Sequence, residues 1–302
     1  DLKKNDFVDW TIDFPLLKET LKYSIPLMPH NLSTHIAYFA SRVFINVNVA
    51  LANVGLYSIA MEFGNLIDLV QVAVNKAFQP WFFEAMDKND KKSKMEAVNL
   101  SNVLLVIYSL IYMIIGLFSQ EIVVLLTSRN YFMAWTVIPI LVIGFSIKSM
   151  YYFYVNIVMF YRQAAKKLFI ATIIGSLIDI FIAYILVPYF GMYGSAIAFV
   201  LAKIIIVIIV ANLSKLYEDI GYRVIKMLSI ITPSLIFMTA GLYLSYTRYL
   251  TVFSFINLLY KILVLVIYVL FIYITNRKAI ENVLKLGQFQ KIFKRRKRNI
   301  SN

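Results

Sequence analysis

Eight Lys, Arg, Asp and Glu residues lie inside stretches that are otherwise apolar enough to cross a bilayer. The bases are Arg42, Lys76, Lys148, Lys203 and Lys261; the acids are Glu62, Asp68 and Asp179. A charge facing lipid at mid-depth costs roughly 2.5–3.5 kcal/mol or more, so such residues face protein or water and mark ion and substrate paths. Lys76 and Lys261 lie near the ends of their stretches and are expected to snorkel to the membrane surface. Lys203 is deeper, and the sequence offers it no partner.

Helical geometry, about 100° per residue, sorts the polar residues onto faces. His30, Thr34, Ser41 and Asn48 share one face of the first apolar stretch, with Asn31, His35 and Arg42 on the adjacent face. Glu62, Asn65, Asp68, Gln71 and Asn75 make a stripe on the second stretch; Lys148, Tyr152 and Asn156 make one on the fourth, and Thr172, Ser176 and Asp179 one on the fifth. Four helices with polar stripes predict a water-filled cavity between them, with the plainer helices as lipid-facing scaffold. For a single Asn, Ser or Thr the plainer account is hydrogen bonding between helices. For Arg42, Glu62, Asp68 and Lys148 the cavity role is favoured. His30 and His35, the only histidines, are five apart rather than four, so they do not stack as metal ligands; hydrogen bonding is expected, and no metal or cofactor. Pro26 and Pro29 disrupt the start of the same helix, as in the broken helices of transporters.

The composition sets the frame for these stripes. Hydrophobic residues make up 61% of the 302 and charged residues 15%, with mean hydropathy +0.74, against roughly 45–50% and 25% in soluble domains. No cysteine is present, which excludes disulfides and thiolate chemistry. Segments of about 20 apolar residues fall at 23–46, 54–82, 99–119, 134–160, 168–187, 193–213, 228–247 and 254–275. The expected fold class is therefore an all-α integral membrane protein with about eight transmembrane helices. Lys and Arg alternate strictly between the connecting segments, 23 on one side and 2 on the other. The positive-inside rule then puts both ends of the chain in the cytoplasm. The net charge of +14 belongs to this asymmetry rather than to nucleic-acid binding, and KIFKRRKR (291–298) is expected to lie against anionic lipid. The segments facing outward are short and hold only Glu121, Arg129 and Arg248 as charges. The chain begins at Asp1, without Met or a signal peptide, and reads as a piece of a longer protein.

Five stretches carry a resemblance: LKYSIPLMPHNLS (21–33), SRVFINVNVALANVGLYSIAMEFG (41–64), NKAFQPWFFEAM (75–86), YYFYVNIVMFY (151–161) and VPYFGMYGSAIA (187–198). In order and spacing they resemble the polysaccharide (O-antigen-type) flippases, relatives of the MATE multidrug exporters and of the lipid II flippase in the MOP superfamily. The resemblance implies the second lobe of a two-lobed MATE-like transporter plus two extra C-terminal helices. Residues 1–20 would be the cytoplasmic linker between lobes, 21–214 a six-helix bundle, 215–227 a cytoplasmic loop, 228–275 the extra pair and 276–302 a basic cytoplasmic tail. It further implies a non-enzymatic function, flipping of a polyprenyl-diphosphate-linked oligosaccharide from the inner to the outer leaflet of the bacterial inner membrane. The partners implied are that lipid-linked substrate, membrane lipids, a missing N-terminal lobe and glycan polymerase machinery. Arg42 and Lys148 would meet the diphosphate; Gln71, Asn75, Tyr152 and Asn156, with the serines of the stripes, suit the sugars, and His30 and His35 are further candidates for lining the cavity. Relatives often place an acid just before the arginine, where this chain has Ser41; either Glu62 or Asp68 partners Arg42, or Arg42 is free for an anion. Gly191, Gly194, Ser195 and Ala198 read as a tight turn and a close helix approach. The rivals are a cation-coupled drug exporter of the same fold, which Glu62, Asp68 and Asp179 would suit, and a membrane glycan polymerase or ligase, for which the outward segments hold too few charges.

Because the chain lacks cysteine, single-cysteine variants report sidedness directly. Ser128→Cys should react with an impermeant maleimide in intact cells, and Asn89→Cys only after permeabilisation; the reverse pattern would invert the orientation.

Overall fold

The computed structural model describes residues 28–284, with 13–15, 17–18 and 21; the side chains of 28–31, 162 and 278–284 are outside that description. Pro26, the side chain of His30, most of the expected linker and the run 291–298 therefore lie outside the described residues. Eight long helices follow in order: α1 (Met28–Asn48), α2 (Leu51–Asp87), α3 (Lys91–Leu117), α4 (Ile138–Phe160), α5 (Leu168–Phe190), α6 (Met192–Tyr217), α7 (Val224–Gly241) and α8 (Phe255–Leu284). Short helices fill the links, Ser119–Leu126, Arg129–Thr136, Arg162–Ala165 and Tyr243–Thr247. Six helical segments are long and apolar enough to cross a membrane, those from Lys91 onward. α1 and α2 have the length but fall short in apolarity, because they carry the densest polar stripes.

Local chemistry explains the boundaries. α2 runs through Pro80 and stops only where Asn89 adopts a left-handed φ of 48°, a conformation asparagine tolerates better than most residues. At 37 residues it is about 55 Å long, well beyond the roughly 30 Å of hydrocarbon, so one end projects into the aqueous boundary. α3 begins at Asp90, whose carboxylate accepts from the Ser93 amide (2.8 Å) and hydroxyl (2.7 Å); these donors hold its pKa below the usual carboxylate range. Between α5 and α6 the chain reverses at Gly191 (φ +54°). A Cβ on Gly194 would sit 2.5 Å from the Leu186 carbonyl oxygen, a backbone atom that cannot move aside, so the two helices meet as closely as the glycine permits.

α4 is the hub. It packs on α2, α3, α6 and α7, while α5 is held between α1 and α6, and α7 and α8 pack against α3. A Cβ on Gly64 would lie 2.3 Å from the Phe145 ring, and one on Gly144 2.6 Å from the Phe199 ring, so α4 seats a ring into α2 and receives one from α6. Phe78, Phe82, Tyr108, Phe153 and Tyr222 form a continuous aromatic core toward the Asn89 end. The expectation that α3 is lipid-facing scaffold is corrected: 61% of its apolar window is buried within the protein, against 28% for α8. Its apolar text conceals buried hydroxyls on Ser101, Ser109, Tyr108 and Tyr112, which period alone does not distinguish from a lipid face.

A second correction concerns Lys261. It does not snorkel; it is fully buried, with Nζ 2.8 and 2.9 Å from the two Glu121 carboxylate oxygens. Gln120 completes the cluster, accepting from Asn257 (3.0 Å) and donating to the Tyr249 carbonyl (2.7 Å). Glu121 sits 140 positions earlier in the chain, so sequence spacing gives no hint of the pair. The cluster joins α8 and the 248–252 loop to the short helix Ser119–Leu126. Removing one partner of a buried pair typically costs about 3–5 kcal/mol. Lys261→Met should therefore lower the unfolding midpoint in detergent sharply, and Lys261→Met with Glu121→Leu should recover much of the loss. Equal midpoints for both variants would show that the stranded carboxylate is not the cause.

Candidate functional site

The ionisable residues of the sequence stripes separate into groups. The first lies between α2 and α4 near mid-helix. Lys148 Nζ is 2.7 Å from Asp68 Oδ1, and the Tyr152 hydroxyl donates to the same oxygen at 2.8 Å. Both side chains remain partly accessible, 20% for Lys148 and 26% for Asp68. The ammonium also stands 5.9 and 5.8 Å from the ring centroids of Phe145 and Tyr152, a cation–π setting that helps replace lost water. The i, i+4 spacing of Lys148 and Tyr152 brings both to one carboxylate. Of the two acids expected as alternatives for pairing Arg42, Asp68 is thus engaged by α4 through Lys148.

Two further stripe members close the seam. Gln71 is fully buried and donates to the Tyr112 hydroxyl (2.8 Å) and the Phe145 carbonyl (3.0 Å). Asn156, also fully buried, donates to Asn75 Oδ1 at 2.9 Å. These amides tie α2 to α3 and α4. For Gln71 and Asn156 the helix-joining account is what the geometry displays, each keeping one oxygen unpaired, Gln71 Oε1 and Asn156 Oδ1, among the described residues.

A second group lies among α1, α2, α5 and α6. Asp179 is 4% exposed and Lys203 8%, and each acts electrostatically on the other. Lys203 Nζ is 4.6 Å from the Phe199 ring centroid. Asp179 Oδ1, Arg42 Nε and Ser195 Oγ are buried without a hydrogen-bond partner among the described residues. Tyr57, fully enclosed, lies in the fields of both Asp179 and Arg42. Arg42 forms no ion pair among the described residues. Lys203 forms no ion pair among the described residues; it lies in the combined fields of Lys148, Asp179 and Asp68, residues of three other helices that no local spacing connects to it.

His35 and Glu62 go elsewhere. Both are exposed on the described helices, on faces that also present Leu32, Ile36, Phe39, Leu66 and Leu69. Lys203 lies in the fields of Lys148 and Asp68 as well as Asp179, and Tyr38 in those of Asp68 and Asp179, so the first two groups adjoin, whereas His35 and Glu62 stand apart. The stripe residues thus comprise a half-open ionised pair at α2/α4, a buried group beside it at α5/α6 and exposed side chains on α1 and α2. Three or more His, Cys, Asp or Glu side chains placed to hold a metal ion do not occur among the described residues.

The Asp68–Lys148 pair has a direct test of its structural share. Asp68→Asn or Lys148→Met alone should lower thermal stability by roughly 1–3 kcal/mol. The exchange Asp68→Lys with Lys148→Asp should recover more than half of that loss if the pair acts as an isolated contact; additive losses would show that Tyr152 and the neighbouring rings fix the polarity.

No family model matches the chain, and no curated protein does. A solved structure described as lipid II flippase MurJ in an inward closed conformation does match, with a TM-score of 0.60, 22% identity and 90% of this chain covered. The match takes in 57% of that structure's chain, so the present chain spans little more than half its length. Six apolar membrane-length helices and this likeness together make the chain a multi-pass membrane protein with the helical fold of the MurJ transporter.

Proposed function

We propose that this chain forms part of a flippase that moves a lipid-linked anionic precursor, a polyprenyl-diphosphate-linked oligosaccharide of O-antigen or capsule type, from the inner to the outer leaflet. The observation that carries this is the half-open ionised pair Asp68–Lys148, at mid-helix in a fold shared with a lipid II flippase. A pair retained at that depth with a fifth or more of each side chain accessible is poised to exchange partners, and a diphosphate would compete with Asp68 for the Lys148 ammonium. Arg42, with its Nε unpaired, supplies a second cation. Asn65 and Asn75 are half-buried on the same stripe and suit sugar hydroxyls. The lipid tail needs no pocket, since it can remain in the bilayer.

In this proposal the outward face of α1 and α2, with His35 and Glu62, meets another half of the same transporter, and alternating access moves one half against the other. The chemistry demanded is binding and release rather than bond making. The cytoplasmic face is the one bearing Asn89, Arg162 and Gly221, by its basic residues, and the membrane is the bacterial inner membrane.

Complementation in a bacterium lacking its own glycan flippase tests the proposal, using the full-length gene that encodes this chain. Surface glycan should be restored by the unmodified gene and reduced at least about tenfold by Lys148→Ala or Arg42→Ala, with the lipid-linked intermediate retained on the cytoplasmic side. Drug resistance without glycan restoration would favour an exporter of the same fold. Normal function of both variants would make the two cations purely structural.

A further inference from the structure

At the end of the bundle that bears Asn89, the starts of α3 and α7 and the end of α6 enclose two adjoining clefts of about 710 and 600 Å³. Lys226 lines both. Lys91 adds a second exposed ammonium to the larger cleft, and Lys215 and Arg223 line the smaller. Among the described residues no ion pair engages these four. One acid lines the clefts, Asp219, and its Oδ1 accepts from the Gly221 amide at 2.9 Å.

The walls are fixed before any ligand arrives. Glu218 is held by Lys94 and by the Tyr161 hydroxyl, and Lys94 also donates to Asn89 Oδ1 at 2.6 Å. Tyr222 is buried, shares a 2.7 Å hydrogen bond with Ser101 and packs on the rings of Phe153 and Tyr154. Gly221 takes φ +95°, which lets the loop turn between these anchors. The loop from α6 to α7 is thereby pinned on both sides, so its basic side chains lose little further backbone freedom on binding.

The surroundings identify the ligand class. Leu216 is 81% exposed and Ile225 83%, and each adjoins one of the basic residues in sequence. Met95, also exposed, lines the larger cleft. The three helices that form the clefts are membrane spans ending at this level. A phosphate with apolar chains attached satisfies cations and apolar surface together; a free phosphate leaves Leu216, Ile225 and Met95 in water. Basic pockets between spans at a membrane surface hold anionic headgroups in this manner. We propose that the paired clefts bind the phosphate headgroup of an anionic phospholipid, with Lys91, Lys215, Arg223 and Lys226 as its cations. The site is independent of transport: it stands at a different level from Asp68 and Lys148, and headgroup binding requires no flipping, so either idea can fail without the other.

The test uses the full-length protein in neutral detergent. Phosphatidylglycerol, phosphatidylcholine and inorganic phosphate are each titrated, and bound lipid is counted by native mass spectrometry. Phosphatidylglycerol should bind in preference to phosphatidylcholine, weaken as salt rises, and resist displacement by an equal concentration of inorganic phosphate. Arg223→Gln with Lys226→Gln should weaken phosphatidylglycerol about tenfold or more, while Lys166→Gln with Lys167→Gln, two charges removed at the same end, should change it less than about twofold. An equal loss in the two double variants would overturn the proposal in favour of diffuse surface charge. Equal binding of phosphatidylcholine, or displacement by equimolar inorganic phosphate, would overturn the assignment to an anionic lipid.

Discussion

Two neighbouring residues of α4, Gly144 and Phe145, set the spacing on which the bundle depends. Phe145 presses its ring where a Gly64 side chain would be, and Gly144 admits the ring of Phe199. Lipid supplies no hydrophobic force between helices, so association relies on close packing and on internally satisfied polar groups. Small residues opposite large rings supply the first. The second follows because helices brought this near can exchange hydrogen bonds: Gln71 reaches the Phe145 carbonyl itself, and one and two turns further along α4, Lys148 and Tyr152 reach Asp68.

The polar groups take different roles according to their depth and exposure. Fully enclosed ones, such as Gln71, Asn156 and the Lys261–Glu121 cluster, bond across helices and act as joints, with Gln71 Oε1, Asn156 Oδ1 and Asn257 Oδ1 left unpaired among the described residues. The Asp68–Lys148 pair is only partly withdrawn from the surroundings, which leaves its charges able to answer an incoming anion. Asp179 and Lys203 are more enclosed, and Asp179 Oδ1 and Arg42 Nε are buried without a hydrogen-bond partner among the described residues. Burying unpaired polar atoms is costly, so these groups weaken the packing of α1, α5 and α6 unless water or a ligand meets them.

Charge outside the hydrocarbon follows a simpler logic. The segment from α6 to α7 is braced by Glu218 and Tyr222 and presents cations beside exposed apolar side chains. The Lys261 cluster, at the opposite end, turns its charge inward and fastens α8 and the loop at 248–252 to the rest. One end is thus arranged to meet headgroups, and the other to hold helices together.

The sequence by itself determined the class, the helices and most of their positions, because a run of apolar residues long enough to span hydrocarbon has few alternatives: the backbone must satisfy its own hydrogen bonds. Eight apolar stretches are eight long helices over the described residues, and the turn at Gly191 was legible from glycine chemistry. The residues of the candidate site were legible too, since an ionisable group in such a run stands out. Their partners were not. Asp68 stands out in the sequence, but only the packing of α4 on α2 gives it Lys148; Lys203 meets the fields of Lys148, Asp179 and Asp68 only where α6 packs among its neighbours; Lys261 sits near a helix end where snorkelling is expected, and the segment at 119–126 brings Glu121 to it instead. His35 and Glu62 share their helices' polar character but point away from the bundle. Spacing along a helix fixes which side chains share a face. Which face meets which neighbour is decided by how rings and glycines of distant segments fit, and that is a property of the tertiary structure alone.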